Sequence, residues 1–516
     1  MDTNYYDVVV CGGELTGLVA AALLGRRGYR VLLVGSETDR PTFEAAGHEL
    51  SRAPALLPPI ATPTVARVLQ DLNCVQIVKR RAPALAPALQ VVMPHHRFDV
   101  GPDAEALGRE LAREFGADRA AIEAALARVA QTSALVEPLL STEITLPPDG
   151  FWERREVGRL ESLLPKRGSD LYAPLPAQHP MRAVIAAPAM LAGAASPWAL
   201  PRAAGNVGIA RGFELARQGL CRFEGGYGAL HALFREKLET FSGERREKLV
   251  PVEVVMKRGR VAGLRVRPRD ETIGCEHLVW AGSAAALHAI CAEKPPRRGP
   301  GGGPGLHVEG YRYTVALLVG PEALPEGMGE RVLLIGDPAR PLVEENALAI
   351  TVGQPAPRQP EHIPLWVECI VPAAPVDAGP GYLRALRGRV VERLETLLPF
   401  FRQHLVVLAS PHDGLPPELP ASAAKPAAKK GAATAPAPQM PMLPLAPVYA
   451  AEGDSPFDVA ALPHATGIKN LYLAGLENLP GLGFEGELVS AWGVSRLIAG
   501  GQPRRDPLRR EVLISE

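Results

Sequence analysis

The chain lacks the features that would direct it to nucleic acid, to export or to a structural metal. Its 516 residues contain 56 Lys and Arg and 56 Asp and Glu, so the basic surplus that nucleic-acid binding requires is missing. Only six cysteines occur, and none forms a C-x-x-C pair. This argues against a zinc site or a disulfide framework and favours a reducing compartment. No basic segment precedes an apolar run at the N-terminus, so we expect a cytoplasmic protein without a signal peptide.

Long apolar runs are also missing. One long stretch without a charge covers residues 183–200 and is interrupted by Pro188 and Pro197. A membrane-spanning helix needs about 20 predominantly apolar residues, and proline disfavours a helix interior. We therefore predict a buried or interfacial loop here, and at most peripheral contact with a membrane.

The composition is otherwise that of a globular protein, with 47% apolar and 22% charged residues. Its length allows two to four domains, or one large enzyme fold in two parts. Gly (51) and Pro (52) are in excess, which predicts long loops. Residues 416–447 are dominated by Pro and Ala and contain few large apolar side chains, so we predict a flexible insert there. It could be an inert surface loop or a docking tether.

The first 34 residues have the pattern of a strand–helix–strand unit. Asp7–Cys11 is a short apolar run, a glycine-rich turn follows from Gly12 to Gly17, and Leu18–Arg27 is typical of a helix. Gly28 then ends the helix before a second apolar run at Arg30–Val34. A turn of this kind between a parallel strand and a helix is a dinucleotide-binding fingerprint.

Two further segments accompany this unit, in a fixed order. Residues 223–230 read FEGGYGAL and precede a predicted helix and a hairpin, Val252–Met256 with Arg260–Val266. Near the C-terminus, residues 468–475 read IKNLYLAG and residues 480–486 read PGLGFEG. With these three segments the chain resembles the FAD-dependent oxidoreductases of the phytoene desaturase and amine oxidase type.

The resemblance implies an α/β fold with two domains. One is a Rossmann-like FAD-binding domain assembled from residues 1–85, 215–300 and 448–516. The other is a substrate domain, from residues 86–214 and 301–415, with helices and an antiparallel sheet. Strand-like runs at Tyr311–Val319, Arg331–Ile335 and Leu365–Val371 agree with that sheet.

The resemblance also implies FAD as cofactor, and it assigns the cofactor contacts to seven glycines. These are Gly12, Gly13, Gly17, Gly475, Gly481, Gly483 and Gly486. Enzymes of this group transfer a hydride to the flavin, which carries the chemistry itself. The sequence identifies no catalytic side chain.

Three positions and one loop depart from the family pattern and disrupt the predicted FAD site. Glu14 replaces the glycine that lets the backbone approach the pyrophosphate, and Gly35 stands where an acid should accept the ribose hydroxyls. Pro251 falls where a backbone N–H should contact the adenine, and proline has no N–H to donate. The flavin-wrapping R-x-G-G-R loop is replaced by residues 38–43. Alternatively, Gly13 provides the close approach in a shifted register, and Glu37 serves as the acid.

Other residues with chemical potential have structural interpretations. His95 and His96 fit a surface loop better than a metal or proton relay, and Trp366 and Trp492 fit the core. Glu485 and Glu487 begin the last predicted helix, where carboxylates are favourable. With FAD bound, they would lie close to its phosphates.

Two functions therefore remain open. The four departures favour a pseudoenzyme, a flavin-free binding or regulatory protein that holds an apolar small molecule, a lipid or a protein partner. The retained glycines favour an active FAD-dependent dehydrogenase or desaturase that acts on an apolar, isoprenoid- or lipid-like substrate. The fold alone does not choose between them.

Overall fold

The computed structural model describes ten stretches of the chain. They are residues 4–36, 39–142, 144–164, 169–198, 206–291, 305–355, 359–420, 442–452, 457 and 459–500. Glu37, part of the 38–43 loop and most of the predicted insert lie outside the described residues.

Helices and strands alternate along the described chain. The helices are α1 (Leu15–Arg26), α2 (Pro63–Asp71), α3 (Val75–Arg81), α4 (Ala104–Phe115), α5 (Arg119–Ala134), α6 (Glu137–Ser141), α7 (Phe151–Glu161), α8 (Met181–Leu191), α9 (Asn206–Gly219), α10 (Gly226–Thr240), α11 (Ala284–Ile290), α12 (Ala373–Asp377), α13 (Gly381–Glu395) and α14 (Gly483–Gly500). The strands are β1 (Tyr5–Cys11), β2 (Val31–Val34), β3 (Thr42–Ala45), β4 (His48–Ser51), β5 (Leu56–Leu57), β6 (Leu89–Val92), β7 (Arg97–Val100), β8 (Cys221–Arg222), β9 (Glu244–Arg246), β10 (Val250–Lys257), β11 (Arg260–Arg267), β12 (Glu271–Trp280), β13 (Gly305–Val319), β14 (Arg331–Ile335), β15 (Ala347–Val352), β16 (Ile363–Pro372), β17 (Leu405–Ala409), β18 (Ala446–Glu452) and β19 (Leu471–Leu473).

The first large sheet has the order β10-β11-β12-β1-β2-β9, with β19 added beside β12. The pairs β1–β2, β1–β12, β2–β9 and β12–β19 are parallel. The helix α1 packs against β1, α10 and α14, and the four residues of β2 are all buried, as the apolar runs predicted. The prediction of a Rossmann-like sheet built from distant segments is confirmed.

The second large sheet has the order β17-β13-β16-β15-β14-β6-β7 and is antiparallel except at the β6–β14 pair. One edge of β13 pairs with β16, whereas β18 and β17 divide its other edge between Gly305–Arg312 and Ala316–Val319. Because β18 starts at Ala446, the domain boundary predicted at residue 448 falls inside a strand of this sheet.

The structure differs from the loop predicted at residues 183–200. Residues 183–191 belong to the buried helix α8, which tolerates Pro188 in its last turn. Its alanines pack closely against α9, where a Cβ added at Gly212 would lie 2.8 Å from the Ala189 Cβ. Across the described residues, helices that combine the length and the hydropathy needed to cross a bilayer are absent.

Candidate functional site

A cavity of about 750 Å³ runs between the two large sheets. It begins at the carboxyl ends of β1 and β2, passes the N-terminus of α1 and ends over β13, β14 and β16. The crevice outside the carboxyl ends of parallel strands is where open α/β sheets bind their ligands, and the volume is that of a small-molecule site. We call the part near α1 the dinucleotide end and the part over the second sheet the sheet end.

The glycines of the N-terminal turn are required by the protein's own packing. A Cβ at Gly12 would lie 2.4 Å from the Ala281 carbonyl oxygen, and one at Gly17 would lie 2.0 Å from the Gly12 carbonyl oxygen. Both distances are far inside van der Waals contact. The presence of Gly12 and Gly17 therefore follows from helix–strand packing, whether or not a cofactor binds.

Packing also requires two of the C-terminal glycines, but not the other two. Cβ atoms at Gly481 and Gly486 would meet backbone atoms of Val459 and Leu479 at 2.5 and 2.4 Å. Gly475 has φ +145° and faces open space in the cavity wall, and Gly483 has φ +51° at the start of α14. Of these glycines, Gly475 is the one whose missing side chain leaves room in the cavity.

The side chain of Glu14 lies in the cavity wall, at the residue that precedes α1. It forms an ion pair with Arg52 and accepts a hydrogen bond of 2.9 Å from the Tyr227 hydroxyl. The Arg52 guanidinium in turn lies 5.0 Å from the centre of the Tyr227 ring. A carboxylate of the protein itself thus lies beside the helix N-terminus that would receive the pyrophosphate, although it accepts no hydrogen bond from the first-turn amides of α1.

A second carboxylate, that of Glu487, faces the same end of the cavity. It accepts a hydrogen bond of 3.2 Å from the Thr16 hydroxyl in the first turn of α1. Burial raises the pKa of Glu487 to about 7, and the neighbouring charge of Glu14 acts in the same direction. The prediction placed Glu487 near the cofactor phosphates, and the structure puts it in this part of the wall.

Asp39 supplies a carboxylate beside the position where Gly35 leaves one missing. Its Oδ2 accepts hydrogen bonds from the Gly13 and Ser36 amides at 2.8 and 2.9 Å. A Cβ at Gly35 would lie 3.9 Å from this oxygen. A carboxylate therefore lies beside Gly35, four residues beyond the expected place. Burial raises the pKa of Asp39, while the two amides lower it.

The wall where the adenine would lie contains Pro251, Leu249 and Trp280. Pro251 pairs with Val266 at an irregular point of the β10–β11 ladder, and it has no amide hydrogen. The Leu249 amide is committed to the Gly35 carbonyl at 3.3 Å. Neither residue therefore offers a free amide donor to an adenine at this wall.

Glu485 has a structural role. Its carboxylate is fully buried and accepts two hydrogen bonds from Arg211, at 2.8 and 2.9 Å, and one from Thr64 at 2.7 Å. Arg211 also forms an ion pair with Glu137. This arrangement joins α2, α6, α9 and α14, so Glu485 is charge-balanced by the protein before any ligand binds.

The sheet end combines apolar walls with a short polar row. Leu89, Leu191, Leu215 and Leu333 line it. The polar row on its floor consists of Arg312 and Thr314 on β13, Arg331 on β14 and Glu368 on β16. Within it, Arg331 and Glu368 form an ion pair at 3.2 Å. Sequence reasoning missed this row because its members lie on three strands that are far apart in the chain.

The remaining candidate residues do not line the cavity. They are His95, His96, Trp366 and Trp492. His96 stacks on Phe115 with ring centres 4.5 Å apart, and His95 shares its turn between β6 and β7. The Trp366 indole donates to the Ser51 carbonyl at 2.8 Å, and Trp492 belongs to the core around α1. Groups of three or more metal-ligating side chains are absent from the described residues.

Comparison with known proteins gives a match at the level of structure. Over 94% of this chain and 99% of the other, the fold superposes on an oxidoreductase from Methanosarcina mazei with a TM-score of 0.56 at 14% identity. Putrescine oxidase bound to putrescine matches with a TM-score of 0.55 at 13% identity, over 96% of this chain and 99% of that one. The chain has the fold of the FAD-dependent amine oxidases. No protein-family model and no curated protein matches the sequence.

Proposed function

We propose that this protein is a flavin-free member of the fold that binds an apolar small molecule in the cavity and performs no redox chemistry. The observation that carries the proposal is the Glu14 carboxylate at the N-terminus of α1, held by Arg52 and Tyr227. In related folds this helix end stabilises the cofactor pyrophosphate.

The residues present at the dinucleotide end do not fit FAD. A pyrophosphate there would meet Glu14 and, once ionised, Glu487. Two like charges about 4 Å apart in a partly buried site repel by a few kcal/mol. Arg52 is already paired with Glu14, so its charge is not available to the pyrophosphate. At the other end, Pro251 gives no amide for the adenine.

The walls support an apolar ligand instead. Beyond Arg52 the lining is dominated by Ala, Pro and Leu side chains, among them Pro54, Ala55, Leu56 and Leu220. Burying apolar ligand surface against such walls contributes roughly 25 cal/mol per Å². A lipid-like molecule fits both this lining and the volume. Binding of a protein partner would be a separate proposal, and we assign no surface of this protein to it.

A second candidate is an active FAD-dependent dehydrogenase or desaturase for an apolar, lipid-like substrate. One observation favours it: the Asp39 carboxylate next to Gly13 stands where an acid would bind the ribose. In that case Arg52 would release Glu14 and form an ion pair with the pyrophosphate instead.

Absorbance and calorimetry separate the two candidates. We expect the purified full chain to show no flavin absorbance between 350 and 500 nm. We also expect no uptake of FAD in a calorimetric titration, but saturable binding of the neutral apolar dye N-phenyl-1-naphthylamine. A stoichiometric flavin spectrum, or micromolar binding of added FAD, would overturn the proposal. So would the absence of dye binding.

A further inference from the structure

Four arginines line the cavity, and three of them have a carboxylate partner. Arg52 pairs with Glu14, Arg211 with Glu485 and Glu137, and Arg331 with Glu368. The fourth, Arg312, forms no ion pair with any carboxylate of the described residues.

The Arg312 guanidinium is held in place but is not satisfied. Its Nη2 donates to the Ala192 carbonyl oxygen at 3.0 Å. Its Nε is buried and has no acceptor among the described residues. A partly buried guanidinium without a paired carboxylate is unfavourable, because water does not fully replace its lost hydration. The Arg312 charge lowers the pKa of Glu487, but these two side chains do not form an ion pair. This cation is therefore suited to an anion that comes from outside the protein.

The strand register places Arg312 within the polar row on the cavity floor. Arg312 and Thr314 lie on the same face of β13, two residues apart. Thr314 stands directly opposite Glu368 on β16, and Glu368 pairs with Arg331. Because Glu368 is committed to Arg331, its charge does not neutralise Arg312.

Apolar side chains surround this row. Leu191, Leu215 and Leu333 line the sheet end from α8, α9 and β14. A ligand that satisfies both the guanidinium and these walls needs one anionic group and a hydrocarbon body. Carboxylate and phosphate groups both match the planar fork of arginine donors.

We propose that the cavity binds a single-chain amphiphile whose carboxylate or phosphate head contacts Arg312 and whose hydrocarbon chain fills the sheet end. This inference rests on the proposed flavin-free function, and it names the ligand class of the same cavity.

Three ligands of equal chain length test the proposal: palmitate, hexadecyl phosphate and hexadecanol. Each ligand is added, below its critical micelle concentration, to compete with N-phenyl-1-naphthylamine that is bound to the full-length protein. We expect at least one of the two anions to bind tenfold or more tightly than the alcohol. The anion with the higher affinity identifies the head group.

Substitution of Arg312 decides whether this preference comes from its guanidinium. We expect Arg312→Gln to reduce the affinity for the anion to that of hexadecanol without changing hexadecanol binding, and Arg312→Lys to retain part of the preference. Arg340→Gln removes the same charge from an exposed site outside the cavity lining and should leave all affinities unchanged. Unchanged melting temperatures establish that the variants are folded.

Equal binding of alcohol and anions by the wild type, or an undiminished preference in Arg312→Gln, overturns the inference. The flavin spectrum is recorded on the same samples. A yellow protein that takes up FAD contradicts the proposed function, whereas a colourless protein without head-group preference contradicts the Arg312 inference alone.

Discussion

The two ends of the cavity carry opposite excesses of charge. At the dinucleotide end, Glu14, Asp39 and Glu487 line the wall together with one cation, Arg52, and the charge of Arg312 also lowers the pKa of Glu487. At the sheet end, Arg312 and Arg331 face one acid, Glu368. A bound dinucleotide requires the reverse at the dinucleotide end, where its phosphates need donors and positive potential. The charge distribution therefore favours a ligand whose anionic group lies over the second sheet.

Between the two ends lies a balanced pair, Arg211 and Glu485. Their side chains are 4% and 0% exposed, so their charges are compensated within the protein. The two ends differ in charge in this way only if Arg211 is not available to a ligand. The first prediction tests this condition.

The largest effect is expected from Arg211→Met. It leaves the Glu485 carboxylate buried without a cation, which costs about 3–5 kcal/mol of unfolding free energy. Urea denaturation of the wild type and the variant measures the difference.

The control is the double variant Arg211→Met with Glu485→Gln, which should recover much of the loss because it removes the orphaned charge. A loss below about 1 kcal/mol for the single variant would mean that the pair is loosely held. Arg211 would then be a second free cation in the cavity.

The pH dependence of stability tests the acidic end. Glu487 has a pKa of about 7, above its ordinary value of 4.5, so the folded state retains a proton that the unfolded state releases. The contribution to stability is fully present below pH 4.5 and is lost as the pH rises to about 7. The loss is on the order of 1–3 kcal/mol.

Unfolding free energies at pH 5 and pH 7.5 measure this loss. Glu487→Gln cannot ionise and should show a smaller decrease between the two pH values than the wild type. An equal decrease in both proteins would show that Glu487 is solvated and does not add to the negative charge at the dinucleotide end.

The last effect concerns the cofactor. Replacing both acids, Glu14→Gly with Glu487→Gln, should raise FAD affinity about a hundredfold, which corresponds to about 2.7 kcal/mol. Quenching of flavin fluorescence measures the affinity. Unlike Gly35→Glu, which would place a second carboxylate against Asp39, these changes leave the ribose position intact.

Asp39→Asn on that background is the matched control and should lower the regained affinity about tenfold. If the double variant gains nothing, charge at the dinucleotide end is not what excludes FAD. The adenine wall at Pro251 would then be the obstacle.

Local sequence pattern predicted the scaffold because the scaffold depends on local rules. The strand–helix–strand unit, the hairpin of β10 and β11 and the strands of the second sheet follow from apolar periodicity and turn residues. The helix α8 was missed because its Ala-rich sequence contains Pro188 and no polar face, so a buried helix could not be told from a loop.

The cavity was beyond sequence reasoning for a different reason. The partners of Glu14 lie 38 and 213 residues away, at Arg52 and Tyr227. The residues next to Arg312 in the sequence do not reveal that it lacks an ion-pair partner, because its neighbours in space come from other strands and helices. Asp39 did carry a signal, as an acid shortly after β2, but it lies in a loop whose length departs from the family pattern.

The edge of β13 that is divided between β17 and β18 has a practical consequence for protein engineering. The chain leaves this edge after β17, is held by mutual hydrogen bonds between Leu408 and Glu418, and returns to the same edge at Ala446. Loop-closure entropy changes slowly with loop length. The segments on either side of residues 421–441 are thus each hydrogen-bonded to the second sheet. New termini or a fluorescent domain could be placed there with both ends of the cavity preserved.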